Sequence, residues 1–429
     1  MKKHRIFTIG WEYPPNITGG LGIACQGLAR ALARRGNGIL FMVPRLSGQE
    51  KQEQGIELFD VKSRLNLLSP EELEELSLHS LTQKAPPFSA YSSSGVVSSL
   101  IAPEAVDGLE ELDGPILRGG YGHTIYEEVH KYAAFAAYIC KRMQFDIIHT
   151  HDWMTFPAGL RVQAITGKPH VCHVHATEFD RSGENVNQYV YDLEREAFHR
   201  ATAVVTVSNY TRNILIDRYG VSPDKIFAVH NAVEFEVPEH ILGKDRPRRG
   251  IDEKLVLFLG RMTFQKGPDY FVRAAKHVIE KMQNVRFIMV GSGDMFHRMI
   301  EMAADMGIGK FFHYTGFLNR EQVQHIYSIS DLYVMPSVSE PFGISPLEAM
   351  SHGVPVIVSK QSGVSEIIHN AIKVDFWDVN ELANQITRLL SDEDLLNSLR
   401  KNGTYEVKNI TWEDSARKME AIFNGLTGG

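Results

Sequence analysis

Cysteine is scarce in this chain. Cys25, Cys140 and Cys172 are the only three in 429 residues, and no two stand in a CxxC spacing. Neither a disulfide framework nor a cysteine-built zinc site is indicated, and each thiol is expected to behave as a small buried hydrophobe. No apolar run approaches the roughly 20 residues of a membrane span. The basic opening Met1-Lys2-Lys3-His4-Arg5 leads into only a few apolar residues, which reads as a first strand rather than a secretion signal. The expected compartment is cytoplasmic, with no transmembrane segment. Positive charge is not in excess either. Lys and Arg number 45 against 52 Asp and Glu, a net charge of −7, which weighs against nucleic acid as a partner. GxSxG, HExxH and Walker A sequences are all missing.

What the chain has is length and alternation. Its 429 residues exceed one ordinary core, so two domains are expected. Short apolar runs recur at Arg5–Ile9, Ile39–Val43, Ile147–His149, His170–Val174 and Val204–Val207. They continue at Lys225–Val229, Leu255–Leu259, Arg286–Val290, Asp331–Met335 and Pro355–Val358. Most are continuous rather than alternating, the pattern of parallel strands covered on both faces. Helical spacing lies between them: Ala24, Leu28, Ala31 and Leu32 predict a helix that stops at Gly36. The fold class is therefore α/β, doubly wound. The polar, basic stretch Pro238–Arg249 interrupts the alternation and places a domain boundary near residue 245. The first domain then spans 1–245 and the second 246–408. A tail over 409–429 is expected to be helical, with Trp412, Ala416, Met419 and Phe423 on one side. Residues 46–120 fit the alternation poorly. Turn formers crowd Pro86–Gly95 and Gly119–Gly122, so this stretch reads as an irregular insertion on the first domain, lying over a cleft.

In open α/β sheets ligands bind beyond the carboxyl ends of strands, and the unusual polar clusters of this chain sit there. Gly10-Trp11-Glu12-Tyr13-Pro14-Pro15 follows the first strand, and His149-Thr150-His151-Asp152-Trp153 and His175-Ala176-Thr177-Glu178 end two others. Gly260-Arg261, Gly291-Ser292-Gly293 and Pro336-Ser337 do the same in the second half. Gly19-Gly20-Leu21-Gly22 opens the first helix; that suits phosphate, although a plain turn would look the same. In Gly260-Arg261…Lys266-Gly267-Pro268 two cations and a helix start converge, a good diphosphate site. Glu340 and Glu348 lie eight positions apart across a loop and a helix start. Ser345-Pro346-Leu347-Glu348 has the form of a capping box, which would give Glu348 a purely structural task; Glu340 has no evident capping partner. His149 and His151 share a strand face, but no third ligand follows at a suitable spacing, so no metal is expected. Asp392-Glu393-Asp394 reads as a solvated helix start rather than a metal motif.

Together these residues resemble the retaining GT-B glycosyltransferases, the large family 4 and its glycogen- and starch-synthase relatives. The likeness is carried by Gly260-Arg261…Lys266-Gly267 with Glu340-Pro341-Phe342-Gly343…Glu348, by Trp11-Glu12-Tyr13-Pro14-Pro15…Gly19-Gly20, and by His151-Asp152-Trp153. The first half is most similar to bacterial glycogen-synthase-like members, through Glu12-Tyr13-Pro14-Pro15 and the run from His175 to Gly183. The resemblance implies two Rossmann-like domains facing a central cleft, with the last helix crossing back onto the first domain. It implies that Arg261 and Lys266 grip a donor diphosphate, helped by backbone amides at Gly19, Gly20, Gly343, Ile344 and Ser345. Glu340 is then expected at the donor-sugar hydroxyls and Glu348 at the ribose. His175 is expected near the anomeric centre, Leu318 near the base, and Asp152 on the site wall. His175, Arg261, Lys266 and Glu340 are the residues implied in catalysis. The implied reaction moves a hexose, glucose above all, from UDP- or ADP-glucose to an α-glucan with retention and without metal or cofactor. Another glycan, lipid or small-molecule acceptor stays open, as do a sugar-nucleotide epimerase on the same architecture and a non-catalytic sugar-nucleotide-binding protein.

Overall fold

The architecture comes from a computed structural model, which describes residues 2–17, 19–65, 117, 125–234 and 253–428. Seven strands form the first sheet: β1 (Arg5–Ile9), β2 (Gly38–Val43), β3 (Ile56–Asp60), β4 (Ile147–His151), β5 (His170–Val174), β6 (Ala203–Thr206) and β7 (Ile226–Ala228). Their order is β3-β2-β1-β4-β5-β6-β7, and all neighbours are parallel. Six strands form the second sheet: β8 (Lys254–Leu259), β9 (Val285–Val290), β10 (Phe312–Gly316), β11 (Leu332–Met335), β12 (Val356–Ser359) and β13 (Ile372–Val374). They run β10-β9-β8-β11-β12-β13, again all parallel. Each sheet reverses its strand order beside its first strand, between β1 and β4 and between β8 and β11. Those two switch points are where a ligand crevice opens in such sheets.

Continuous apolar strands arise because alternate side chains enter different cores. In β1, Phe7 and Ile9 join the cluster that holds Trp11, Tyr132 and Phe156, while Ile6 joins the one that holds Leu28, Val171 and Phe423. In β8, Val256 and Phe258 face one core and Leu257 the other. The strands missed in the sequence, β3, β10 and β13, each begin or end a sheet's order. They are only partly covered, so their hydrophobic signal is diluted. β3 lies inside the stretch expected to be irregular. Residues 66–116 and 118–120 of that stretch, and the expected boundary at residue 245, lie outside the described residues.

The helix Trp412–Leu426 packs on the helix Gly20–Arg34. Gly27 makes the approach possible, because a Cβ there would stand 2.4 Å from the Trp412 ring. The tail buries Trp412, Ala416, Met419 and Phe423. Its Glu420, wholly buried, accepts from Asn37 Nδ2 at 2.8 Å and pairs with Arg35 and Lys3. Among the described residues no helix is long and apolar enough to cross a membrane.

Candidate active site

The second-domain half of the site is built where β8 and β11 end. Gly267, with φ 61°, stops the short 3-10 turn Phe264–Lys266 and passes the chain into the helix Pro268–Lys281. A Cβ on Gly267 would lie 2.3 Å from the Pro336 carbonyl oxygen, so only glycine lets the β8 loop sit directly on the β11 loop. That contact delivers Lys266 to Glu340, with Nζ 2.5 Å from Oε2. Ser337 Oγ donates to the same oxygen at 3.2 Å. Glu340 is buried and its backbone is pinned, its N–H donating to Gln361 O and its carbonyl accepting from Gly363 N, each at 2.9 Å. Arg261 is exposed at the mouth of β8.

Glu348 lies in the first turn of the helix Ser345–Ser351, but not in a capping box. Ile344 takes the N-cap position, and no side chain caps the end. The Ser345 hydroxyl is occupied instead by Tyr333, whose Oη donates to it at 2.9 Å. Tyr327 Oη donates to Glu348 Oε2 at 3.2 Å. Burial raises the Glu348 carboxyl above its ordinary range, against the opposing pull of Tyr327 and Arg320. The structural task assigned by the capping pattern therefore does not exist, and the carboxylate is held by a tyrosine from another helix. Asp392, by contrast, does start a helix, its side chain accepting from Leu395 N at 2.9 Å.

The first-domain half is built where β4 and β5 end. Parallel pairing sets His151 beside His173, so His149 and His151 on one strand and His173 and His175 on or just beyond the next share a face. His149 Nε2 lies 3.2 Å from His173 Nδ1, and His151 Nδ1 lies 2.9 Å from His175 Nε2. Burial pushes His149 and His175 down to about 3 and His151 and His173 well below the usual imidazole range, so all four rings are neutral near pH 7. Chain spacing offered His149 and His151 no third ligand, but strand register brings other donors beside them. Three ligand atoms from His149, His151 and His173 lie within 4.8 Å of one another, and so do three from Cys25, His151 and His175.

Asp152 has a left-handed backbone, φ 63°, a strained conformation for a residue with a side chain. Its carboxylate accepts from His175 N at 2.7 Å and Ala176 N at 3.3 Å and so fixes the start of the loop that carries His175. Burial pushes the Asp152 carboxyl up to about 6, although Arg181 and those amides pull it down. The loop continues into a capping box the sequence reading missed. Thr177 and Asp180 satisfy each other's backbone amides, a pattern visible as Thr-x-x-Asp. Asp180 then reaches the other domain, where Ser339 Oγ donates to its Oδ1 at 2.5 Å. Tyr210 Oη lies 3.0 Å from that serine oxygen, and Ser208 Oγ donates to Pro341 O at 2.6 Å. The loops after β5 and β11 are thus joined one residue from Glu340. Gly19 and Gly20 lie exposed at the start of the first helix, and Leu318 is part-buried just past β10 beside the exposed Phe317. These residues and Arg261 occupy the same carboxyl edges without a bond to the Lys266–Glu340 pair among the described residues.

The arrangement holds cations at one carboxyl edge and neutral imidazoles and a buried acid at the other, a setting for an anionic, polyhydroxylated ligand. Residues 243–405 match the model of glycosyl transferases group 1, and residues 90–237 match that of glycosyltransferase family 4. The chain is 29% identical to an uncharacterized glycosyltransferase of Methanocaldococcus jannaschii, over 98% of this chain and 97% of that one. It is 29% identical to a UDP-Gal:alpha-D-GlcNAc-diphosphoundecaprenol alpha-1,3-galactosyltransferase of Escherichia coli, over 63% and 73%. Its fold is similar to the catalytic domain of starch synthase IV from Arabidopsis thaliana, solved with ADP and acarbose. The TM-score is 0.68 at 15% identity, covering all of both chains.

Proposed function

This chain belongs to the GT-B, family 4-like glycosyltransferases, and we propose that it moves glucose from a nucleoside-diphosphate glucose to an α-glucan with retention of anomeric configuration. The reading rests above all on the Lys266–Glu340 pair, 2.5 Å apart at the switch point of the second sheet. One partner carries the charge that a departing diphosphate needs, and the other offers the acceptor oxygens that sugar hydroxyls need. Departure of the nucleoside diphosphate builds negative charge, and Lys266, Arg261 and the amide end of the helix Pro268–Lys281 stabilise it. Glu340 orients the donor sugar, Glu348 takes the ribose hydroxyls, and Leu318 borders the base. His175, neutral and fixed through Asp152, lies beside the reacting carbon. The leaving phosphate accepts the proton of the incoming hydroxyl on the same face, so no protein nucleophile is required.

The test is a donor panel, UDP or ADP joined to glucose, GlcNAc, galactose or mannose, read by release of the nucleoside diphosphate with and without glycogen. The expected result is glucose-donor turnover that rises with glycogen. Turnover stimulated only by a lipid-linked or small-molecule acceptor would overturn the α-glucan reading, and epimer formation without acceptor would replace transfer with isomerisation.

Glu348 gives a second expectation. In Glu348→Gln the Tyr327 hydroxyl keeps its acceptor, so the melting temperature should stay near wild type. The ribose loses a charge-assisted bond for a neutral one, a difference of about 1–1.5 kcal/mol, or about 5–12-fold in affinity. Calorimetric titration of the nucleoside diphosphate reads it directly. Unchanged affinity with a lowered melting temperature would make Glu348 a structural residue.

A further inference from the structure

We propose that Cys25, His151 and His175 form a binding site for a borderline-soft divalent transition ion of the zinc type, and that filling it withdraws His175 from the donor sugar. The site itself stands on geometry; only its effect on turnover rests on the glycosyltransferase reading above.

Three separate elements bring the donors together: the helix Gly20–Arg34, strand β4 and the loop after β5. One ligand atom from each of Cys25, His151 and His175 falls within 4.8 Å of the others. The set is a thiol and two imidazoles, the ligand chemistry that zinc prefers, and three protein ligands leave a fourth position for solvent or substrate. His151 Nδ1 and His175 Nε2 are 2.9 Å apart. Two Zn–N bonds of about 2.0–2.1 Å at a tetrahedral angle hold their nitrogens about 3.3–3.4 Å apart, so the rings need to part by only about half an ångström. Cys25 and His151 are closed off from solvent, whereas His175 is only partly covered and provides the way in. The environment also favours a cation. Asp152 and Glu12, the charges that together with burial hold the Cys25 thiol in its protonated form, are both carboxylates.

The step balances simply. One ring of the His151–His175 hydrogen bond moves its proton to its own second nitrogen, freeing both facing lone pairs. The Cys25 S–H bond breaks as the sulfur–metal bond forms, and one proton leaves to solvent per ion bound. A competing set lies behind the first. His149, His151 and His173 are all buried and share His151 with it, so an ion cannot occupy both sets in full.

Cobalt(II) separates the two, because a thiolate ligand gives a sulfur-to-cobalt charge-transfer band that an all-imidazole set lacks. Chelator-treated full-length protein is titrated with cobalt(II), and then with zinc in competition. One equivalent with the charge-transfer band is expected. In Cys25→Ser the band disappears and zinc binding weakens by more than about 10-fold, the least that mis-setting even an outer partner of a metal site costs. In His149→Gln both persist. No saturable binding would overturn the proposal. So would binding that survives Cys25→Ser without the band and is lost in His149→Gln, which would assign the ion to the buried set. With an active donor, stoichiometric zinc is expected to slow diphosphate release in the wild type and not in Cys25→Ser. Full cobalt binding with unaffected turnover would overturn the link to His175. A chain that turned over no donor would leave the cobalt titration as a complete test of the site.

Discussion

Lys266→Ala is expected to lower turnover about 100- to 1,000-fold, the roughly 2.7–4 kcal/mol that one fixed electrostatic donor supplies where charge develops in a transition state. The geometry makes this more than a residue-type argument. Lys266 is partly buried, it is positioned by a loop whose Gly267 sits on the Pro336 carbonyl, and its ammonium is 2.5 Å from Glu340. Reorganisation at the moment of reaction is therefore small. A rival explanation is that Lys266 merely neutralises Glu340, in which case the alanine variant loses stability by leaving a buried carboxylate with Ser337 alone. The single variant's kcat and melting temperature, read together, separate the two. If Lys266 acts on the diphosphate, kcat of the folded single variant falls by the full factor. If it only supports Glu340, the single variant's defect shows chiefly as lowered melting temperature, with kcat close to wild type. A single-variant kcat within a few-fold of wild type would remove Lys266 from the mechanism.

How much of this was legible without coordinates depended on burial and on distance along the chain. The central strands stood out because both their faces are covered, leaving no polar alternation to blur them. β3, β10 and β13, at the ends of the sheet orders, gave too weak a signal. Lys266 and Glu340 were legible as chemistry on two different loops, but not as a pair, because 74 residues separate them. Glu348 was misread locally. Ser-x-x-Glu has the form of a cap, yet the serine hydroxyl answers to Tyr333, twelve residues earlier in the chain. The histidines were legible as one same-face pair, His149 with His151, and separately as His175 at the end of another strand; His173 was not singled out. Only the parallel register of β4 and β5 joins them into one stack and brings Cys25 beside it.

Arg181→Met is expected to destabilise the first domain by about 3 kcal/mol, the lower end of what removing one partner of a buried ion pair costs. Arg181 bonds Glu194 at 2.5 Å and Glu178 at 3.1 Å, and Glu194 is wholly buried. Tyr219 Oη also donates to Glu194 at 2.5 Å, so the methionine variant leaves a buried carboxylate with a tyrosine and a backbone amide but no countercharge. The lower end applies because burial already pushes the Glu194 carboxyl up to about 7 despite Arg181. Without the guanidinium it rises further, and the folded state answers by taking up a proton. The sign of the pH dependence follows. A carboxyl whose folded pKa is raised binds more protons folded than unfolded, so its contribution is present at low pH and is lost as pH climbs through the folded pKa. The variant's raised pKa extends that loss upward, and Asp152, which Arg181 also holds down, shifts the same way. The deficit against wild type should therefore be smaller at about pH 6 than at about pH 8.5, read as urea midpoints at the two values. A deficit independent of pH would mean that Arg181 contributes through packing of its stem rather than through charge. The consequence reaches the active site, because the segment that Arg181 anchors carries His175 at one end and Asp180, bonded to Ser339, in its middle. Activity of the variant at low pH, where the fold is better retained, tests whether that segment positions His175. Near-normal turnover there would confine Arg181 to stability, and a slow but folded enzyme would tie the ion cluster to the placement of the histidine.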